Sequence, residues 1–189
     1  MPSVVGVMNK ALLEIGQKPI AARTDNLESA RAMDAVFDMT RDEVLRDHPW
    51  NAAKAMASLA ASVTEPAGVW LYQYPLPSDC LRVLNLPEVG EPQEWEVQGR
   101  VLLTNDGTPV LIEYTKREED PNIWDALLAE AISAKLAAAV AYRLTGSRNK
   151  ETDAAAWYKD VLMRARMVDG LEEALVEPEE EDSWLSVRV

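Results

Sequence analysis

Two side chains of the sort used for proton transfer and nucleophilic attack occur once each in the chain, His48 and Cys80. His48 closes an amphipathic run and stands directly before Pro49. The spacing predicts that it caps a helix end, where a partly positive imidazole is favoured, and no nucleophile motif lies near it. Cys80 sits between Asp79 and Leu81 in a strand-like run, with Arg82 as the only neighbouring base able to lower its pKa, so it reads as a buried structural thiol. One cysteine and one histidine make neither a zinc site nor an intrachain disulfide. Carboxylates are abundant, and a pair such as Glu14 with Glu43 could serve as acid and base in glycoside hydrolysis. Among 32 acids, however, chance pairs are unavoidable. Phosphate-cradling GxxxxGK, GxGxxG and the nucleophile elbow GxSxG are absent, and residues 177–182 lack calcium-loop spacing. The expectation is a protein with no catalytic residues, no metal and no cofactor.

The balance of 32 acidic to 19 basic residues, net −13, argues against a primary nucleic-acid binder, which needs clustered Lys and Arg. No apolar run of about 18 residues occurs, and the start lacks the basic segment and cleavage site of a signal peptide, which together predict a soluble protein with no membrane partner. A single domain of this length buries roughly 70% of its unfolded surface, enough for one sizeable core.

The elements that would position these residues can be read from periodicity. Residues 3–15 carry Val4, Val7, Met8, Ala11, Leu12 and Ile15 at helical spacing, with Gly16 where a left-handed end residue belongs. Residues 26–47 form a second helix with Asp25 as its N-cap, ended by His48-Pro49. The alanine-rich residues 51–63 suit a short helix by propensity and an extended arm by their β-like surroundings. From 69 to 115 short runs rich in β-branched and aromatic residues are punctuated by prolines and by turns at Gln98-Gly99 and Asn105-Asp106-Gly107, which predicts an inserted small antiparallel sheet. Asp120-Pro121 starts a third helix over 121–145, ended by Gly146, and a fourth covers 149–168 before Asp169-Gly170. The fold class is α+β: mainly an α-helical bundle of about four helices with an inserted small antiparallel β-sheet. Residues 1–168 form a single domain.

Residues 169–189 differ in kind. They hold eight acids and one base, −7 of the −13, leaving −6 for the other 168 residues. An extended acidic C-terminal tail that does not pack on its own core is predicted, ending in the alternating apolar residues Trp184, Leu185, Val187 and Val189. An acidic spacer followed by an apolar end suits docking on a partner. Trp50, Trp70, Trp95, Trp124 and Trp157 read as core or interface anchors.

The run Asp47-His48-Pro49-Trp50-Asn51-Ala52-Ala53, followed some twenty residues on by Tyr72-Gln73-Tyr74-Pro75-Leu76-Pro77-Ser78-Asp79-Cys80-Leu81-Arg82-Val83-Leu84, resembles the tail tubular protein A family, the head-to-tail adaptors of short-tailed (podovirus-like) phages. The opening Asn9-Lys10-Ala11-Leu12-Leu13-Glu14-Ile15-Gly16, the strand Val110-Leu111-Ile112-Glu113-Tyr114 and the alanine-rich helix over 129–144 are similar too, so the likeness spans about residues 4–168. The resemblance implies a ring of twelve copies between the portal protein and the tail nozzle protein in the virion, assembled in the host cytoplasm. DNA would pass through without specific binding. It implies no catalytic residues, and the signature reads as structural: His48-Pro49 ends a helix, Trp50 pins the chain's exit, and Tyr74-Pro75-Leu76-Pro77 directs an extended edge.

Two other readings fit the ordered pattern of helices and strands: a carboxylate-dependent cell-wall hydrolase of a tail, and a small acidic regulator that mimics DNA. An acidic channel wall that repels phosphate is equally compatible with a protein that handles DNA without binding it.

Overall fold

Residues 126–145 read ALLAEAISAKLAAAVAYRLT, mostly apolar, with only Glu130, Lys135 and Arg143 charged and eight alanines in twenty positions. Such a helix is stable only when surrounded, and its small side chains let neighbouring backbones come close. In a computed structural model, which describes residues 2–87, 94–107 and 109–172, this segment is the central helix of the bundle. The helices are α1 (Val4–Glu14), α2 (Glu28–Asp47), α3 (Ala126–Thr145) and α4 (Arg148–Leu171). Helix α3 packs against the other three and buries Leu128, Ile132, Leu136, Ala137 and Val140 almost completely. Its one buried hydroxyl, Ser133 Oγ, lies 2.9 Å from the Ala129 carbonyl and 3.1 Å from that of Val7, so it is satisfied inside the core.

Local chemistry sets the ends. Ser3 caps α1 by accepting from the Gly6 amide, and Ile15 is followed by Gly16 at φ +75°, where an added Cβ would meet Lys150 Nζ at 2.8 Å. Gly146 ends α3 at φ +66° in the left-handed region. Two expected starts are corrected. Asp25 does not cap α2; its Oδ2 accepts from the Ala21 and Ala22 amides in the preceding turn, and α2 begins at Glu28 after Leu27. Asp120-Pro121 likewise does not open α3: Asp120 closes a turn on the Asn122 amide, and Asp125, which accepts from Leu128 N at 2.6 Å, is the cap. Either acid satisfies the capping rule, and the buried Trp124, whose Nε1 donates to the Glu118 carbonyl, holds the intervening turn.

The strands are β1 (Lys54–Leu59), β2 (Tyr72–Pro75), β3 (Cys80–Asn85), β4 (Trp95–Gln98), β5 (Val101–Thr104) and β6 (Val110–Lys116). They form two antiparallel three-stranded sheets, ordered β1-β6-β3 and β2-β5-β4, where one sheet was expected. The difference arises at the alanine-rich stretch. Asn51–Ala53 is a single 3-10 turn, and Lys54–Leu59 pairs along its full length with β6, so tertiary pairing overrides helix propensity. Burial also divides. One apolar cluster fills the four-helix bundle, and a second, built on Leu59, Tyr74, Cys80, Leu102, Val110 and Ile112, lies between the strands. Two linked cores replace the single one expected from length.

Helix α4 runs to Leu171, three residues beyond the expected stop. Replacing Ile132 by Ala should cost about 2–5 kcal/mol in chemical denaturation, because the surrounding helices cannot collapse onto the cavity. The exposed Met163→Ala control should stay within about 0.5 kcal/mol.

Candidate functional site

The first signature segment, His48-Pro49-Trp50-Asn51, lies at the corner where the chain leaves the bundle for the sheets. His48 is the C-cap of α2, with extended backbone (φ −144°, ψ 146°) that Pro49 favours. Trp50 is 1% exposed, and its Nε1 donates to the Val44 carbonyl at 2.8 Å, so the indole turns back under the helix it has just left. The His48 ring stands edge-on to it, centroids 4.9 Å apart.

The His48 side chain does not serve the helix end, as its position suggested. Its Nε2 lies 2.9 Å from Asp169 Oδ2 in α4. The other Asp169 oxygen accepts from the Asn51 amide at 3.2 Å, and Asn51 Nδ2 donates to the Asp169 carbonyl at 2.9 Å. Asp169 is buried, so the expectation that the chain leaves its own core at this residue is corrected. A buried carboxylate needs such donors, and here they come from residues 118 and 121 positions away. Beside it, Arg166 donates to the Asp47 carbonyl and Tyr158 Oη to Asp47 Oδ2 at 2.9 Å. Burial, then this bond to Asp47, push the Tyr158 phenol well above its ordinary pKa. Sequence reading missed Asp169, Arg166 and Tyr158. A histidine-proline helix end opposite a lone acid is too common a pattern to have revealed them.

The second signature segment is bracketed by arginines. Tyr74 is fully buried and its hydroxyl donates to the Asp106 carbonyl at 2.8 Å. Pro75 ends β2, an edge strand, where a missing N–H is tolerated. Leu76 N donates to the Arg100 carbonyl, and the Arg100 guanidinium donates to the carbonyls of Pro77 and Cys80. The Asp79 carbonyl accepts from Arg117 N, and Arg46 of α2 donates to the Leu81 carbonyl at 2.7 Å, tying helix to sheet. Cys80 is 2% exposed, and burial raises its thiol pKa more than the Arg100 charge lowers it. Arg82 projects outward.

The carboxylate pair does not converge. Glu14 lines a hollow with Lys150 and Asp153, whereas Glu43 lines another beside Arg46 and pairs with Lys135 at 3.2 Å. Among the described residues no cluster of three metal-ligating side chains occurs, and no helix is long and apolar enough to cross a membrane. Trp184, Leu185, Val187 and Val189 lie outside the described residues. Of the tryptophans, Trp50 and Trp124 are core, while Trp70, Trp95 and Trp157 are half-buried.

Two exposed apolar surfaces were not foreseen. Met163, Met167 and Leu171 recur every four residues on α4, at 64–79% exposure. The connection over residues 60–71, between β1 and β2, carries Val63, Val69 and Leu71 at 62–103%. Connections of this length without their own helix or strand are uncommon outside functional segments. No protein-family model matches the chain, and no curated protein matches it significantly.

Asp169→Ala should destabilise the protein by about 2–4 kcal/mol in urea titration, since it strands the His48 and Asn51 donors, and Asp169→Asn should recover much of the loss. Cys80 in the native protein should react with iodoacetamide at pH 8 more than about 100-fold slower than in the unfolded chain, as burial and a raised pKa both suppress the thiolate.

Proposed function

We propose that the protein is a structural connector, the head-to-tail adaptor of a short-tailed phage, whose copies close into a ring, twelve in number, between portal and nozzle. The observation that carries this reading is that one subunit exposes two unlike sets of apolar side chains, Met163, Met167 and Leu171 on α4 and Val63, Val69 and Leu71 in the 60–71 connection. A head-to-tail ring requires such a pair: one face meets a different face of the next copy, and closure prevents a filament. Single exposed apolar residues are ordinary, but a helical stripe of Met163, Met167 and Leu171 is the sort of surface that a partner covers.

The signature motifs support the same reading. The residues that carry the likeness to tail tubular protein A, His48-Pro49-Trp50-Asn51 and the segment around Tyr74 and Cys80, are committed to backbone carbonyls, to Asp169 and to the two cores. They act as fold determinants that set the angle between bundle and sheets, and hence between the two surfaces. The net charge of −13 suits a lumen through which DNA slides without adhering.

Under negative-stain microscopy the protein, alone or mixed with its portal, should form rings of about twelve copies. The double variant Met163→Glu, Met167→Glu should abolish them while leaving the circular dichroism spectrum unchanged. A protein that stays monomeric at high concentration and never joins the portal would overturn the proposal.

A further inference from the structure

A hollow of about 480 Å3 opens between the end of α2, the start of β3 and the β4–β5 hairpin. Arg46, Arg82 and Arg100 line it together with an apolar wall of Leu76, Val83, Trp95 and Val97. Arginines without a carboxylate partner also stand elsewhere, at Arg31, Arg143, Arg148 and Arg166, so the want of a partner does not mark the hollow. Convergence does: three arginines meet in one lining that contains no carboxylate among the described residues. Glu43 and Asp47 line the adjoining hollow, which shares Arg46 and Arg82, and both are engaged there, Glu43 with Lys135 at 3.2 Å and Asp47 with the Tyr158 hydroxyl at 2.9 Å. Arg46 and Arg100 donate to carbonyls of the Pro77–Leu81 segment and keep further N–H groups free of those bonds. A concave site of this size, with an apolar wall and a few convergent charges, suits an occupant that sets an acid among apolar side chains.

We propose that the occupant is the 60–71 connection of a second copy of the chain, with Glu65 on the arginines and Val63 and Val69 on the apolar wall. This contact rests on the ring reading and names the face that receives the arm. The arm reads AASVTEPAGVWL, and its single charged residue, Glu65, is exposed between the exposed Val63 and Val69. One acid among apolar side chains thus meets three arginines beside an apolar wall. The arm is held away from the hollow of its own subunit. Trp95 and Val97 of β4 line the hollow, so Glu96 between them points to the other face of the strand. There Trp70 of the arm donates from Nε1 to Glu96 Oε2 at 3.3 Å, Leu71 N donates to Asn105 Oδ1 at 3.1 Å, and Gln73 Nε2 donates to the Thr64 carbonyl at 2.9 Å. The arm therefore leaves one side of the β4–β5 hairpin while the hollow opens on the other. An arm and its receptor on opposite sides of one element is the arrangement of a head-to-tail contact. An exposed ion pair contributes little singly, but in a ring the contact repeats at every interface.

Charge reversal in the full-length chain tests it, read by native mass spectrometry where the unaltered protein assembles, alone or with its portal. Glu65→Arg, which sets a cation against three others, should raise the concentration for half-assembly at least about tenfold, and Arg82→Glu about threefold, with circular dichroism unchanged because both positions are exposed. In the Glu65→Arg background the sign should reverse, Arg82→Glu now improving assembly at least about threefold, since it gives the new cation an acid to meet. Glu65→Cys mixed with Arg82→Cys under oxidation should yield a disulfide-linked dimer that neither variant forms alone, and the buried Cys80 takes no part. Assembly unchanged by Glu65→Arg, an Arg82→Glu change that harms both backgrounds, or no disulfide in the mixture while assembly persists would overturn the proposal and leave the ring reading standing. An unaltered chain that never assembles would remove the ring reading and this contact with it.

Discussion

The buried carboxylate of Asp169 is the constraint on which the arrangement of the two cores depends. It stands at the last turn of the longest helix and accepts from the imidazole and backbone that begin the crossing into the sheets. A carboxyl group enters a protein interior only where hydrogen-bond partners replace water, so this one fixes the corner as strongly as the corner fixes it. Trp50, turned under α2, fills the space the corner encloses. The Arg46 bond to the Leu81 carbonyl is a second tie between bundle and sheet. Bundle and sheets are thereby held in one orientation although each has its own apolar cluster.

Much of the fold was legible because its signals are local. The helix end at His48-Pro49, the left-handed glycines 16 and 146, and the Gln98-Gly99 turn depend on one or two residues each, and all stand where the residue types place them. The segment Lys54–Leu59 was ambiguous for a physical reason: KAMASL has no strand pattern of its own, and its conformation comes from pairing with β6 over fifty residues away. Capping acids misled because Asp25 and Asp120 satisfy turns as readily as helices.

The site was legible only in its first half. His48, Trp50 and Asn51 stand out as a motif, whereas Asp169 reads as one more acid at the start of an acidic stretch. Nothing in local composition distinguishes an acid that folds inward from one that stays in water; the distinction is made by donors more than a hundred residues earlier. Arg46 and Arg100, which hold the Tyr74–Arg82 segment by its carbonyls, were missed for the same reason. Backbone carbonyls carry no sequence signature.

A fixed corner has a functional consequence in the proposed adaptor. If the angle between bundle and sheets is set once, then so is the angle between the α4 stripe and the 60–71 arm, and a constant angle between two unlike faces is what makes a ring close at one size. Native mass spectrometry of the assembled protein measures that closure most directly. The account predicts one species of about 250 kDa, twelve chains of 21.0 kDa, with no larger members. A single 21.0 kDa species under all conditions, or an open ladder of sizes, would contradict it.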